Sequence, residues 1–290
     1  MKISALISVF ALALSGCATE AAGTLENGDP EEIEIAVFNG WPEGIAASQV
    51  WRAALEDQGY DVTLTEADPA PVYSGLASGD YDVVLDTWMP DTHEDYIGEY
   101  GDDLEDLGAW YSGARNTMVV NEDAPITSLS ELSDHADEFD NQIIGMEPGA
   151  GLTQMTEESV IPTYGLENME FVASSTPALL GELEAAVDSG ENFVGTLARP
   201  YWAFEAYPIR ELEDPENAYG EDEEIRVTAR GGFSEDFPAA SAWLEDFQMD
   251  DDHLLPLCNE LFNLQEDRDP ADVTDEWLEE NHEWFESLTS

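Results

Sequence analysis

The amino-acid sequence predicts an α/β fold with mainly parallel sheets, in which a second lobe is inserted into the first. Short runs that are typical of β-strands are repeatedly followed by runs whose apolar residues recur at helical spacing. This alternation is typical of layered α/β domains. A chain of 290 residues is long enough for two lobes that each have a core.

The strand and helix patterns follow one another from Glu32 onward. The first predicted strand, "EIEIAVF", precedes the predicted helix "GIAASQVWRAALEDQG", which stops at Gly59. The later strand patterns are "YDVTLTEA", "YDVVLDTW", "QIIGME", "MEFVASS" and "NFVGTLA". From Ser234 onward the pattern is helical, and it ends in "PADVTDEWLEENHEWFESL".

Two strand-like passages interrupt this rhythm, because neither precedes a helix of the same kind. They are "NTMVV" and "EIRVTARGGF", and we interpret them as crossings between the lobes. The sequence therefore predicts that residues 32–115 and 226–290 form lobe 1 and that residues 116–225 form lobe 2.

The N-terminus has the pattern of a secretory signal with a lipobox. Residues 1–17, "MKISALISVFALALSGC", contain one lysine, a short apolar run and small residues before Cys17. The apolar run is too short to span a bilayer comfortably, which argues against a transmembrane helix. We expect Cys17 to be lipidated and residues 18–31 to form a tether. The protein is then extracytoplasmic and touches the membrane only through this anchor.

The charge is strongly acidic, with 66 acidic residues against 8 basic ones and a formal net charge of −58. This balance argues against nucleic acid and against an anionic membrane surface as partners. Hydrophobic residues still make up 43% of the chain, as in a folded protein. The composition indicates a protein from a very salty environment, where salt screens the repulsion between carboxylates. We also expect a monomer. Once Cys17 is lipidated no disulfide is possible, and Cys258 is expected to be a buried, inert thiol.

The sequence contains no convincing catalytic or cofactor motif. His93 is flanked by the acids Asp91, Glu94 and Asp95, but no spacing typical of zinc ligands is present. The glycine-rich "GMEPGAG" lacks the lysine of a phosphate loop. We therefore predict no enzyme activity, no cofactor and no metal. A secreted metal-dependent hydrolase that uses His93 is kept as an alternative from another functional class.

Tryptophans follow several predicted strands, at the sheet edge where α/β proteins bind ligands. Trp41, Trp88 and Trp202 occupy such positions. Trp41 also precedes a helix, so the N–H groups of Gly44 and Ile45 lie at its positive end. Aromatic faces attract a quaternary ammonium group by cation–π interaction, and the amides can receive a carboxylate. Core packing is the alternative for each single tryptophan.

In five motifs the sequence resembles the substrate-binding proteins of ABC importers for glycine betaine and related compatible solutes. The motifs are "WPEGIA", "LASGDYDVVLDTWMPDTHEDY", "DLGAWYSGA", "IIGMEPGAG" and "TLARPYWAF", in that order. The resemblance implies two hinged α/β lobes, with the ligand held in an aromatic box between them. It also implies a membrane permease as partner.

Carried over by position, the resemblance places Trp41 and Trp88 in the aromatic box. Gly44 and Ile45 match the backbone donors to the ligand carboxylate. The usual family pattern "TLWRPHWAF" is changed, so that Ala198 replaces a box tryptophan and Tyr201 replaces a histidine. We expect one of three aromatic residues, Tyr111, Tyr201 or Trp202, to complete the cage. The alternative is a larger pocket that takes a different ligand.

The predicted function is therefore capture of a quaternary-ammonium osmolyte, glycine betaine first of all, for import. A bulkier amine such as choline or carnitine is the alternative that Ala198 suggests. Choline lacks a carboxylate and would leave the Gly44 and Ile45 amides without an anion. A permanently closed sensor or scaffold lipoprotein also remains open at this point.

Overall fold

A computed structural model of the protein describes residues 23–265 and 267–290. The predicted signal sequence and Cys17 lie outside the described residues. The α/β fold class is confirmed, because helices cover a largely parallel sheet at each end of the molecule. In the part of the chain that is described, no helix is both long enough and apolar enough to cross a membrane.

The strands in the described ranges form one continuous sheet in the order β2-β1-β3-β9-β4-β7-β5-β6, with β8 paired to β4. Neighbouring strands are parallel at both ends of the sheet, whereas β9 and β4 are antiparallel to the strands beside them. The strand bounds, β1 to β9, are Glu32–Phe38, Asp61–Ala67, Val83–Met89, Leu104–Asn121, Gln142–Gly145, Glu170–Ala173, Val194–Arg199, Ile209–Glu211 and Glu223–Arg230.

Helices follow most of the strands up to β9, although no helix separates β8 from β9. After β9 the helices follow one another to the C-terminus, as the sequence predicts. The helix bounds, α1 to α13, are Pro42–Asp57, Pro69–Ser78, Glu94–Tyr100, Leu129–Leu132, Gly151–Met155, Ile161–Tyr164, Thr176–Ser189, Ala203–Ala206, Phe233–Asp236, Pro238–Glu245, Asp251–Asn259, Pro270–Glu280 and His282–Ser287. Short 3₁₀ or π-helical turns cover Gly101–Asp103, Ser133–Phe139, Thr156–Val160 and Glu260–Leu264.

Strand β4 belongs to both halves of the sheet. Its first part, from Leu104 to Ala114, pairs with β9, and the part from Arg115 to Val120 pairs with β7. The pairing partner of β4 therefore changes between Ala114 and Arg115, next to the predicted lobe boundary between residues 115 and 116. Strand β9 pairs with β3 and with the first part of β4, and it begins at Glu223, three residues before the predicted lobe boundary at residue 226.

Residues 23–31, which belong to the predicted tether, are packed against lobe 1 and so do not form a tether. The Asp29 carboxylate is fully buried and accepts hydrogen bonds from the Tyr60 hydroxyl at 2.6 Å and the Ala240 amide at 3.0 Å. The C-terminal helices α11 and α12 pack on α1. The ordered lobe therefore includes segments from both ends of the described chain.

Strand β3 is the central element for the site. It is buried on both faces, and Asp86 and Trp88 point to the same face because side chains alternate along a strand. Thr87, which lies between these two residues, points to the other face of the sheet, where its hydroxyl accepts a hydrogen bond from the Tyr73 hydroxyl at 3.0 Å. The strand thus delivers one carboxyl and one aromatic ring to the space between the lobes.

Candidate ligand-binding site

A buried cavity of about 20 Å³ lies between the two lobes. On one side its walls come from the start of α1, from β3 and the turn after it, and from β4. On the other side they come from the residue after β5, from α5, and from β7 and the loop after it. The lining residues are Trp41, Pro42, Glu43, Trp88, Thr92, Asn116, Met146, Leu152, Ala198 and Tyr201. This volume holds about one water molecule, so a larger ligand requires the walls to move apart.

A larger cleft of about 530 Å³ lies elsewhere, beside β9 and the start of β4. It is an open groove in which Arg226 is already paired, since its guanidinium lies 2.8 Å from Asp106 and also pairs with Glu224. The small cavity is the better candidate site because its walls combine aromatic rings with Glu43, whose buried Oε2 has no hydrogen-bond partner among the described residues.

Three aromatic rings meet at this cavity: Trp41, Trp88 and Tyr201. They are 8%, 2% and 4% exposed, so a ligand between them is shielded from water. The rings of Trp41 and Trp88 are perpendicular, with centroids 6.5 Å apart at an interplanar angle of 87°. Rings at right angles present their faces in different directions, as a cage for a compact cation requires.

Trp88 is held by hydrogen bonds of both its ring and its backbone. Its indole Nε1–H donates to Asp86 Oδ1 at 2.8 Å, and its backbone N–H donates to His93 Nδ1 at 2.9 Å. The His93 amide donates back to the Trp88 carbonyl at 3.2 Å, which closes the turn after β3. Trp88 is therefore held by hydrogen bonds that leave its orientation little freedom.

The Trp41 ring is supported by a stacked histidine. The His93 ring lies parallel to it at 13°, with centroids 5.6 Å apart, and Phe38 contacts it edge-on at 5.2 Å. Burial lowers the pKa of His93 to about 3, so the imidazole is neutral at ordinary pH. Because Nδ1 accepts a hydrogen bond, Nε2 carries the proton, and it has no partner among the described residues.

Helix α1 starts directly at the cavity, with Trp41 as its N-cap and Pro42 in its first position. The Ile45 N–H donates to the Trp41 carbonyl at 3.0 Å, so it already belongs to the helix. The Gly44 N–H lies in the first turn, where no earlier helical carbonyl is available. A Cβ on Gly44 would lie 2.3 Å from Asp86 Oδ2, so glycine permits the close approach of α1 to β3.

Two carboxyl groups are buried together beside the aromatic rings. Glu43 lines the cavity, and Glu43 Oε2 and Asp86 Oδ2 have no hydrogen-bond partner within the described part of the chain. Burial raises the pKa of Glu43 to about 8. Burial, and next the nearby Glu43 carboxyl, raise the pKa of Asp86 well above its usual range. Glu43 is thus mainly protonated near neutral pH, and the raised pKa of Asp86 favours its protonated form as well.

The structure brings some of the predicted site residues together and not others. Tyr201 lines the cavity beside Ala198, whereas Trp202 is buried behind it, with its ring stacked on Tyr201 at a centroid distance of 6.1 Å. Tyr111 lies outside the cavity, where its hydroxyl donates to Asp251 Oδ1 at 2.7 Å in a surface pocket. Among the three candidates for the missing box position, only Tyr201 reaches this cavity.

Sequence reasoning missed the polar lining of the cavity. Glu43 stands inside the quoted "WPEGIA" motif, but a carboxylate carries little information in a chain with 66 acids. The sequence places Asn116 in a predicted crossing between the lobes and not in the predicted site. Among the described residues, no group of three or more His, Cys, Asp or Glu side chains could hold a metal ion. Cys258 is buried, as predicted.

Comparison with known proteins gives a consistent family. A family model for the substrate-binding domain of ABC-type glycine betaine transport systems matches residues 31–280. The glycine betaine/carnitine transport binding protein GbuC of Listeria monocytogenes serotype 1/2a (strain 10403S) is 28% identical over 160 residues, which are 54% of this chain and 51% of that protein. The match spans about half the length of this curated relative.

Two solved structures are similar over nearly the whole fold. Lactococcal OpuAC, in its closed-liganded conformation complexed with glycine betaine, has a TM-score of 0.82 at 25% identity, covering 90% of this chain and all of that one. The glycine/betaine/L-proline-binding protein ProX from Borrelia burgdorferi has a TM-score of 0.83 at 30% identity, covering 89% of this chain and 97% of its own. Both are two-lobed binding proteins, which confirms the predicted architecture.

Proposed function

We propose a function from one established premise: the chain belongs to the family of substrate-binding domains of ABC-type glycine betaine transport systems. Members of this family are extracytoplasmic substrate-binding proteins of transporters and not enzymes. We propose that this chain captures glycine betaine in the cavity between its lobes and delivers it to a membrane permease.

The observation that carries this proposal is the meeting of Trp41, Trp88 and Tyr201 in one buried cavity. A trimethylammonium group is attracted to the negative face of each ring by about 0.5–2 kcal/mol, and more strongly when water is excluded. The group needs no hydrogen-bond partner, which suits walls that also include Met146, Leu152 and other apolar atoms.

The start of α1 can bind the carboxylate end of glycine betaine. A carboxylate placed there meets the positive end of a 16-residue helix and the Gly44 N–H. The protonated carboxyl of Glu43 can donate its O–H to the same carboxylate. The Ile45 N–H is less suited to this role than the sequence suggested, because it donates within the helix.

Choline is a second candidate, favoured by the carboxyl of Glu43 in the cavity wall. A ligand with a net positive charge would stabilise the ionised form of Glu43, and no basic side chain lines the described cavity to compete with it. The small side chain of Ala198 would also accommodate bulkier quaternary amines such as carnitine.

Calorimetric titration at high salt tests the proposal and separates the ligands. Glycine betaine is expected to bind more tightly than choline and carnitine, and glycine, which lacks the methyl groups, is expected not to bind. A choline preference of tenfold or more would favour the second candidate. Absence of binding by every quaternary amine would refute the proposed function.

We further propose that the chain is secreted, anchored to the membrane through a lipid on Cys17, and active as a monomer. The lipobox-like N-terminus supports the anchor, and the extracytoplasmic location of the family agrees with it. Metabolic labelling with a palmitate analogue, with Cys17→Ala as control, tests the anchor. Label that persists in the variant would contradict it.

The acidic composition leads to the proposal that the protein works in concentrated salt. With a net charge of −58, folding should weaken as ionic strength falls, because the screening length grows from about 3 Å at 1 M salt to about 30 Å at 0.01 M. Thermal melts over this range should show a midpoint that rises with salt. A flat profile would contradict the proposal.

A further inference from the structure

A buried carboxylate outside the ligand cavity ties together the elements that connect the two lobes. Glu223, the first residue of β9, is 2% exposed. Its Oε2 accepts hydrogen bonds from the backbone N–H groups of Asp91 at 3.0 Å and Thr92 at 2.9 Å. Its Oε1 accepts from the Thr92 hydroxyl at 2.5 Å and from Asn116 Nδ2 at 3.2 Å.

The hydrogen-bond partners of Glu223 belong to two different parts of the fold. Asp91 and Thr92 form the turn that follows Trp88 in lobe 1, and Asn116 lies on β4 just after the crossing into lobe 2. Glu223 itself stands where the chain returns to lobe 1. One side chain therefore links the outgoing crossing, the return crossing and the turn beside the Trp88 ring.

Two of these partners also line the ligand cavity, namely Thr92 and Asn116. Asn116 Nδ2 donates to the Thr92 hydroxyl oxygen at 2.5 Å as well, so the network continues from Glu223 to the cavity wall. Burial raises the pKa of Glu223, while its hydrogen bonds to Thr92 and Asp91 oppose that rise. Such a buried acceptor is stable only while its donors stay in place.

The same turn is the contact point of lobe 2. A Cβ on Gly151, the first residue of α5, would lie 2.3 Å from the Thr92 carbonyl oxygen, so the two backbones touch there. Asp95, just beyond the turn, accepts a hydrogen bond from Gln154 of α5 at 3.2 Å. The turn is therefore held by hydrogen bonds to Glu223 on one side and contacts α5 of lobe 2 on the other.

We propose that Glu223 is a positioning residue that holds the Asp91–Thr92 turn against both crossings, so that lobe 2 closes on a preformed wall. This inference rests on the proposed function, because it concerns closure around the ligand of that site. Without the hydrogen bonds of Glu223, the turn moves with α5 or relaxes when the lobes separate, and the closed state is less stable. The expected consequence is faster ligand release with little change in the association rate.

The test compares Glu223→Gln with Glu105→Gln as a matched control. Glu105 also accepts hydrogen bonds from two backbone amides, of Gly232 and Ser234, and from one hydroxyl, but all within lobe 1 and away from the cavity. Glutamine keeps the size of each side chain and replaces one acceptor oxygen by a donor that faces N–H groups. Both variants are expected to be less thermostable than the parent.

Stopped-flow tryptophan fluorescence with glycine betaine at high salt gives the decisive rates. Glu223→Gln is expected to raise the dissociation rate about 10-fold, with the association rate within about twofold, and Glu105→Gln is expected to change neither. A Glu223→Gln variant that releases ligand at the parent rate overturns the inference, as does an equal effect of the control. If Glu223→Gln does not fold, Glu223→Asp serves, with a smaller increase expected in the same rate.

A ligand-free measurement separates this inference from the proposed function. The radius of gyration of Glu223→Gln in solution scattering is expected to exceed that of the parent, because its lobes spend more time apart. Equal radii overturn the inference even if no quaternary amine binds. If the parent binds no quaternary amine but the radius of gyration of Glu223→Gln is larger, the ligand assignment is refuted and the inference about Glu223 still stands.

Discussion

The molecule contains two tryptophan–histidine clusters with similar ring geometry in different surroundings. The cavity cluster consists of Trp41, Trp88 and His93. His93 stacks on Trp41 at 13° with a centroid distance of 5.6 Å, and Trp88 meets Trp41 edge-on at 87° and 6.5 Å. All three side chains are buried between helices and the sheet.

The C-terminal cluster consists of Trp277, Trp284 and His253. His253 stacks on Trp284 at 20° with a centroid distance of 4.7 Å, and Trp277 meets Trp284 edge-on at 81° and 5.8 Å. Its histidine is paired, because His253 Nδ1 lies 2.6 Å from Asp250 Oδ1. His253 and Trp284 are partly exposed at the surface of lobe 1.

The comparison shows that stacked and perpendicular aromatic rings do not by themselves indicate a ligand site. The C-terminal cluster has a satisfied histidine and packs helices together. The cavity cluster is accompanied by buried polar atoms without partners in the described residues, on Glu43, Asp86 and His93. Buried groups of this kind cost free energy, and they are commonly retained where a ligand or a proton satisfies them.

The largest expected effect distinguishes the two clusters directly. Trp88→Ala should weaken glycine betaine binding by about 2–4 kcal/mol, or roughly 30- to 1000-fold, because it removes a cation–π face and leaves a void in a dry site. Trp88→Phe should keep part of the affinity. Titration calorimetry at high salt measures both.

Trp277→Ala is the matched control from the C-terminal cluster. It should lower the melting temperature, since Trp277 is only 9% exposed, and leave the affinity nearly unchanged. A folded Trp88→Ala variant with parent affinity would make Trp88 a core residue like Trp277.

Much of the fold could be predicted from the sequence because its signals are local. The strand "EIEIAVF" and the helix after it carry their periodicity within a few residues, and β1 and α1 form there. The first part of β4 was missed because residues 104–114 are a mixture of buried and half-exposed positions whose partner, β9, is more than one hundred residues away. Pairing at that distance leaves no local pattern.

The candidate site likewise contains residues that local sequence patterns predict and residues that depend on packing. Trp41 and Trp88 could be located because the ends of parallel strands meet at one sheet edge. Neither the choice of Tyr201 over Tyr111 nor the burial of Glu43 could be predicted, since both depend on how the lobes pack. Glutamate is usually a surface residue, and the burial that raises the pKa of Glu43 depends on tertiary packing that leaves no pattern in the sequence.

A second prediction concerns that buried acid. Burial raises the pKa of Glu43 from 4.5 to about 8, so the folded state holds its proton more tightly than the unfolded chain does. Its contribution to stability is full below about pH 4.5 and is lost as the pH rises through about 8. Glu43→Gln should therefore raise the free energy of unfolding at pH 9 by up to about 4 kcal/mol, and should change it little near pH 5.

Thermal melts of parent and variant across this pH range provide the measurement. Glu276→Gln, next to Trp277 in α12, is the control: Arg268 lowers the pKa of that exposed carboxyl, so any effect has the opposite sign and appears as the pH falls. If Glu43→Gln lowers stability at pH 9, then Glu43 is ionised and paired in the folded protein.

A third, smaller effect is expected from packing at the start of α1. Gly44→Ala places a methyl group 2.3 Å from Asp86 Oδ2 and should cost about 1–3 kcal/mol of unfolding free energy. Gly181→Ala, in α7, meets no atom within 4 Å and should stabilise the protein by about 0.5–1 kcal/mol. Urea unfolding at constant salt measures both, and stabilisation by both substitutions would mean that Asp86 is free to move.

The smallest expected effect decides which tyrosine completes the aromatic cage. Tyr111 lies in a surface pocket against α11, on the side of the C-terminal cluster, and its hydroxyl donates to Asp251. Tyr111→Leu should therefore change glycine betaine affinity by no more than about twofold, as for a substitution away from the ligand. Tyr201→Leu removes a ring that lines the cavity and should weaken binding about tenfold. Titration of both variants at high salt gives the two affinities under one condition. If Tyr111→Leu causes the larger loss, lobe closure must carry Tyr111 to the ligand, and the cage would be completed from the C-terminal side of lobe 1.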